Sequence, residues 1–120
     1  MSDTVKRHFF APAHATPLAQ LTGEGWSGDV AANRYMRIQV QVEGGVVVDA
    51  SFATTGCAPC IAAGSLLCEH AIGRPVRELL NVTAEWLEDA LGGLPPARQY
   101  CAALAIEALQ GACQPGKGEG

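Results

Sequence analysis

The stretch "MRIQVQVEGGVVVDASFATTGCAPC", residues 36–60, leaves this chain the fewest choices. Met36, Ile38, Val40 and Val42 alternate with Arg37, Gln39, Gln41 and Glu43, the period of two that marks a half-buried strand. Gly44 and Gly45 turn the chain, and Val46, Val48, Ala50, Phe52 and Thr54 resume the alternation. The segment reads as a β-hairpin with one apolar face, and such a face needs a cover. Its second strand runs straight into Gly56 and a C-x-x-C pair, Cys57 and Cys60.

The cover is expected to be helical. Ile61, Ser65, Cys68 and Ile72 form one stripe, Leu66 and Leu67 widen it, and Gly73 stands where a helix from Pro59 to Ile72 needs a left-handed cap. A second helix starts with Thr83 as N-cap and buries Trp86, Leu87, Ala90 and Leu91 before Gly92-Gly93 stops it. Pro95-Pro96 opens a third, on which Cys101, Leu104, Ala105, Ala108 and Ala112 share a face and Cys101 lies about two turns in. Upstream, Val5–Phe10 reads as a short helix. "LTGEGWSGDVAAN" reads as one more strand or a loop, with the glycines of "GEGWSG" favouring a flexible segment. The expectation is one domain over residues 1–113 and a flexible tail over 114–120, where "QPGKGEG" has nothing to bury.

Function classes narrow on charge and hydropathy. The net charge is -4 with no Lys/Arg cluster, which speaks against nucleic acid or an anionic membrane as partner. No run of about 18 apolar residues and no signal-like N-terminus is seen, so a soluble, cytoplasmic protein is expected. Five cysteines, Cys57, Cys60, Cys68, Cys101 and Cys113, read in a reducing compartment as metal-binding, catalytic or buried groups rather than a disulfide framework.

Pro59 suits the first turn of a helix, which puts Cys57 just before that helix and Cys60 in its first turn. There the free N–H groups and the positive end of the helix dipole favour the thiolate, the form that binds metal or attacks sulfur. If the Cys101 helix packs beside this end, three thiols converge. A single C-x-x-C fits half of a zinc site, half of an iron–sulfur site or a redox pair. Cys68 reads as packing and Cys113 as incidental at a fraying end. His8, His14 and His70 read as surface or cap residues, and no Ser-His-Asp arrangement, phosphate loop or dinucleotide fingerprint is present.

The order of these pieces, a hairpin ending in "TTGCAP", a helix from that cysteine, a short helix, then "LPPARQYC" before a last helix, resembles the IscU/NifU N-terminal-domain family of iron–sulfur cluster assembly scaffolds. The resemblance runs from about Val5 to Ala112 and implies an α+β sandwich, a three-stranded antiparallel sheet against a layer of helices. It further implies a non-enzymatic scaffold that builds a transient [2Fe-2S] cluster from iron and passes it on. A cysteine desulfurase supplies sulfur, chaperones assist release, and apo iron–sulfur proteins accept the cluster. Cys57 matches the family's central cysteine and Cys101 its last. The first cysteine, from a Cys-Gly-Asp run, has no match: ungapped reading puts Ala32, Asn33 and Arg34 there, and Ser27-Gly28-Asp29 matches only with a gap. Tyr100 replaces the histidine before the last cysteine. The expected cluster or metal ligands are therefore Cys57, Cys60 and Cys101, with Asp29 as a conjectural fourth unless a second chain in a homodimer or a partner supplies it. The alternatives are a zinc-binding or C-x-x-C redox protein, and a docking paralogue without cluster chemistry.

Overall fold

The computed structural model describes residues 3–10, 15, 17–29, 31–32, 34–55 and 58–113, with the backbone alone for residues 6 and 8–10. In chain order its elements are α1 (Asp3–Phe10), β1 (Gly23–Asp29), β2 (Arg34–Glu43), β3 (Val46–Thr54), α2 (Ala58–Ala71), α3 (Val76–Leu79), α4 (Ala84–Ala90) and α5 (Tyr100–Cys113). The sheet is antiparallel in the order β1-β2-β3, and helices α2 and α5 cover one face. The α+β sandwich with a three-stranded antiparallel sheet is the architecture the sequence led us to expect.

The hairpin carries one correction. Register slips between Gln41 and Val42, so Val47 is buried while Val48 is 42% exposed. Strict alternation had put Val48 on the inner face. An extra residue in one strand of a pair reverses the facing beyond it. Past the bulge, Ala50 and Phe52 face the helices as expected, and Met36, Ile38 and Val40 beneath them are fully buried.

A second correction concerns "GEGWSG", which is strand β1 rather than a flexible segment. Its glycines are there for close approach: a Cβ at Gly23 would run into the Ala112 carbonyl, and one at Gly25 into the Ala108 carbonyl and the Ala112 amide. Ser27, next on the same face, donates from Oγ to the Leu104 carbonyl oxygen at 2.6 Å. The strand thus lies backbone-to-backbone on α5, a contact larger residues would forbid.

The outer face of the sheet is largely polar. Residues 17–22 run up to β1 beside β2, with the Leu18 N–H donating to Gln39 Oε1 (3.1 Å) and the Thr22 N–H to the Val40 carbonyl (2.8 Å). Glu24 collects three neighbours: Gln39 Nε2 donates to it at 2.8 Å, Trp26 Nε1 at 3.2 Å, and Arg37 stands 3.9 Å away. The Gln39 hydrogen bond, with lesser help from Trp26 and Arg37, outweighs desolvation and holds this carboxyl below its usual range.

The helix layer departs from expectation mainly near Pro95. Pro96–Arg98 forms a separate single 3₁₀ turn, and α5 begins at Tyr100, so Cys101 sits in the first turn of its helix rather than two turns in. The paired prolines lack the N–H groups that continued helix would use. Helix α3, unforeseen in the sequence, follows Pro75 and buries Leu79. Thr83 caps α4 as expected, accepting from the Trp86 N–H at 3.1 Å. Leu87 and Leu91 are fully buried, whereas Trp86 and Ala90 are only partly so. Cys113 is also not at a frayed end: it is 5% exposed and part of the core. The tail expected over 114–120 lies outside the described residues.

Two outcomes follow. Gly25→Ala should lower stability by about 2–4 kcal/mol in urea unfolding, because the backbone of α5 must shift. Gly111→Ala, whose Cβ would only touch the Gly25 Cα at 3.4 Å, should be neutral or stabilising by up to about 1 kcal/mol through helix propensity. Because the Glu24 carboxyl is lowered in the folded state from 4.5, its contribution is complete above pH 4.5 and is lost as pH falls through the folded value. Glu24→Gln should therefore flatten the acid limb of the stability profile.

Candidate functional site

Three segments meet at the end of the sheet away from the β2–β3 turn. The β1–β2 connection enters through the pair Asp29↔Arg34, and β3 arrives beside it through Met36↔Thr54. Thr54 Oγ1 donates to the Tyr35 carbonyl at 2.6 Å, which ties the last residue of β3 to the start of β2. The N-terminal turn of α5 completes the corner. Stepping along the seam, Gly23 faces Ala112, Gly25 faces Ala108, and Gly28 lies beneath the Leu104 side chain. Tyr100 stands one helical turn further, with the Arg34 guanidinium 4.6 Å from its ring centroid.

Each candidate residue can be placed against this corner. Cys101 follows Tyr100 in the first turn of α5 and is fully buried. Cys60 lies in the first turn of α2 and is 1% exposed. Asp29 is exposed, and its Oδ1 accepts the Ala31 N–H at 3.0 Å, closing a local turn. Cys57 and Gly56 lie outside the described residues, between Thr55 and Ala58. His14 and the His8 side chain also lie outside them. Among the described residues no three His, Cys, Asp or Glu side chains are close enough together to hold a metal ion.

The other sulfurs belong to the core. Cys68 is 1% exposed, as its position on the α2 stripe suggested, and burial, reinforced by the nearby Asp49 charge, pushes its thiol far up. Burial raises the Cys113 thiol to about 11. His70 is half-buried against the Trp86 ring, centroids 4.3 Å apart. Desolvation and the Arg74 charge, against a smaller pull from Glu78, hold it below its ordinary value. It joins α2 to α4 and lies outside the candidate site.

Two cavities of about 320 Å³ bracket the sheet. One, at the β2–β3 turn, is lined by Gly45, Pro75, Val76, Arg77, Leu80 and Cys113. The other is lined by Ala15, Phe52, Ala53, Thr54 and Ile61 and adjoins the end of β3, where the chain leads toward Cys57. The corner also holds a pair that reasoning on cysteines alone passed over, Arg34 and Tyr100. Their signal in the sequence was that both occupy positions where the resembled family has other residues.

Architecture and placement together define a small α+β sandwich in which the end of β3, the β1–β2 connection and the first turn of the cysteine-bearing α5 lie at one end of the sheet. The sequence matches the NifU-like N terminal domain over residues 1–117. It is similar to the iron-sulfur cluster assembly scaffold protein IscU 1 of Archaeoglobus fulgidus, 35% identical over 91% of this chain and 71% of that one. Similarity to IscU of Aquifex aeolicus is 36% over 90% and 70%, and to nitrogen fixation protein NifU of Azospirillum brasilense 37% over 99% and 40%. In fold it is similar to a putative iron-sulfur cluster assembly scaffold protein for the SUF system from Fervidobacterium islandicum, with TM-score 0.75, 17% identity and 95% and 96% of the two chains covered. The chain therefore belongs to the NifU-like N-terminal-domain family that includes the IscU scaffolds. No described helix is long and apolar enough to cross a membrane.

The burial of the core sulfurs has a direct chemical consequence. In the native protein at pH 7.5, Cys68 and Cys113 should resist iodoacetamide, since little thiolate forms and access is closed. Both should label fully once the chain is unfolded in urea, as peptide mass spectrometry can follow.

Proposed function

We propose that this protein is an iron–sulfur cluster assembly scaffold, not an enzyme, which binds iron or a transient [2Fe-2S] cluster as cargo. The observation that carries this reading is the convergence of the β3 terminus, the β1–β2 connection and the first turn of α5 at one end of the sheet, in a chain of the scaffold family. Cys57 and Cys101 are the ligands that match the family. Cys57 receives sulfur, and Cys101 anchors the cluster from the helix.

The remaining coordination comes from Cys60, from Asp29, or from another molecule. A [2Fe-2S] cluster takes four protein ligands, and Cys60 has to reach it from a buried position in the first turn of α2. Asp29 has a carboxylate oxygen beyond the one that closes its turn. A homodimer would supply thiols from a second chain. The supporting partners in this reading are a cysteine desulfurase, release chaperones and apo iron–sulfur acceptors, in the cytoplasm and without nucleic acid or membrane. Zinc is a competing occupant of the same thiols, since it takes thiolate ligands in the same manner.

The test is iron and acid-labile sulfide per chain after anaerobic incubation with ferrous iron, a desulfurase and cysteine. Wild type should acquire both, and Cys57→Ser and Cys101→Ser should lose both. Loss in Cys60→Ser as well would make it a ligand, whereas full loading of that variant would leave it a packing residue. Absence of iron and sulfide from wild type would remove the scaffold reading.

A further inference from the structure

Among the described residues two buried side-chain atoms have no hydrogen-bond partner, Arg37 Nε and Ser51 Oγ, and both lie around Gln39. Glu24, Gln39 and Ser51 stand directly opposite one another across β1, β2 and β3, so Gln39 has a polar neighbour on either side. It is turned to β1: its Nε2 donates to Glu24 Oε2 at 2.8 Å while its Oε1 accepts the Leu18 N–H at 3.1 Å. Ser51, fully buried, is left with nothing to donate to, although residues paired across a sheet have Cβ atoms only about 5 Å apart. Arg37 Nε stands 3.9 Å from the same Glu24 oxygen that Gln39 occupies. A buried polar group without a partner costs more than most hydrogen bonds contribute. The arrangement therefore carries an internal cost that turning one side chain would relieve.

We propose that Gln39 is a two-position switch that holds or releases residues 17–22, a strap over the approach to the cavity beside the end of β3. In the position described above it anchors the strap at Leu18. In the other, Gln39 Oε1 accepts the Ser51 hydroxyl, Glu24 Oε2 is freed to accept the Arg37 Nε–H, and the Leu18 N–H passes to water. Both unpartnered atoms gain partners, and the group given up is readily solvated because residues 17 and 19–22 are already exposed. The far end of the strap stays fixed through Thr22. Its N–H and Oγ1 donate to the Val40 carbonyl (2.8 and 3.3 Å), and its Oγ1 accepts the Val42 N–H (2.8 Å). Release therefore acts on the near end, where Ala15 lines the cavity together with Phe52, Ala53, Thr54 and Ile61. The inference goes beyond the scaffold reading and depends on no cargo.

Native-state hydrogen exchange of the full-length protein reads the switch at the Leu18 amide. In wild type Leu18 should exchange far faster than Ile38, a fully buried residue of β2 that opens only with the sheet. Equal rates would mean that the strap never lifts by itself and would overturn the proposal. Ser51→Ala removes the unpartnered group from the held position and the partner from the released one, so Leu18 exchange should slow about tenfold. Gln39→Met keeps the bulk and loses both polar groups, so it should speed Leu18 exchange about tenfold and leave Ser51→Ala without effect when the two are combined. An unchanged Leu18 amide in Ser51→Ala overturns the switch. So does a Ser51→Ala effect that persists beside Gln39→Met, because Ser51 would then gain water on release rather than Gln39. The cavity is followed separately, by maleimide labelling of Ala53→Cys read by peptide mass spectrometry. Labelling should rise when Gln39→Met is added and fall with Ser51→Ala, and labelling indifferent to both breaks the link between strap and cavity.

Discussion

The seam between β1 and α5 is the contact on which the rest depends. Two residues of strand advance about 6.7 Å and four residues of helix about 6.0 Å, so Gly23 and Gly25 keep step with Ala112 and Ala108. The Ser27 hydroxyl on the Leu104 carbonyl continues the same progression. Near-equal rises let backbone meet backbone for two turns without a side chain between them. The consequence is positional: with α5 locked to β1 in this register, its first turn must emerge beside Asp29 and Arg34. The glycines far along the strand thus help to set the place of Cys101.

That dependence explains what could be read in advance. Met36, Ile38 and Val40 reported their own burial because each residue's facing depends only on its strand neighbours, although Gln39 on the opposite face is also buried, and Thr83 reported a cap because a hydroxyl before a helix satisfies its own local N–H. The bulge between Gln41 and Val42 left no local mark, so Val47 and Val48 exchanged roles. The glycines of β1 looked like freedom, since nothing local says that a helix more than eighty residues later will lie against them. Of the candidate site, the sequence offered cysteine types alone, and Cys57 lies outside the described residues. The Arg34–Tyr100 contact was not legible, because it joins a strand start to a helix start that only the seam brings together.

The cysteines illustrate how one residue type divides by environment. Cys68 and Cys113 are small apolar fillers whose thiols burial keeps protonated, and chemistry at either would first require opening the core. Cys60 shares their burial yet stands in the first turn of α2, three residues from Cys57. Its inclusion in a site therefore costs a local rearrangement of that turn. A cargo held transiently needs ligands that can be supplied and withdrawn. For a thiol as buried as Cys101 in the first turn of α5, that means opening the end of the helix.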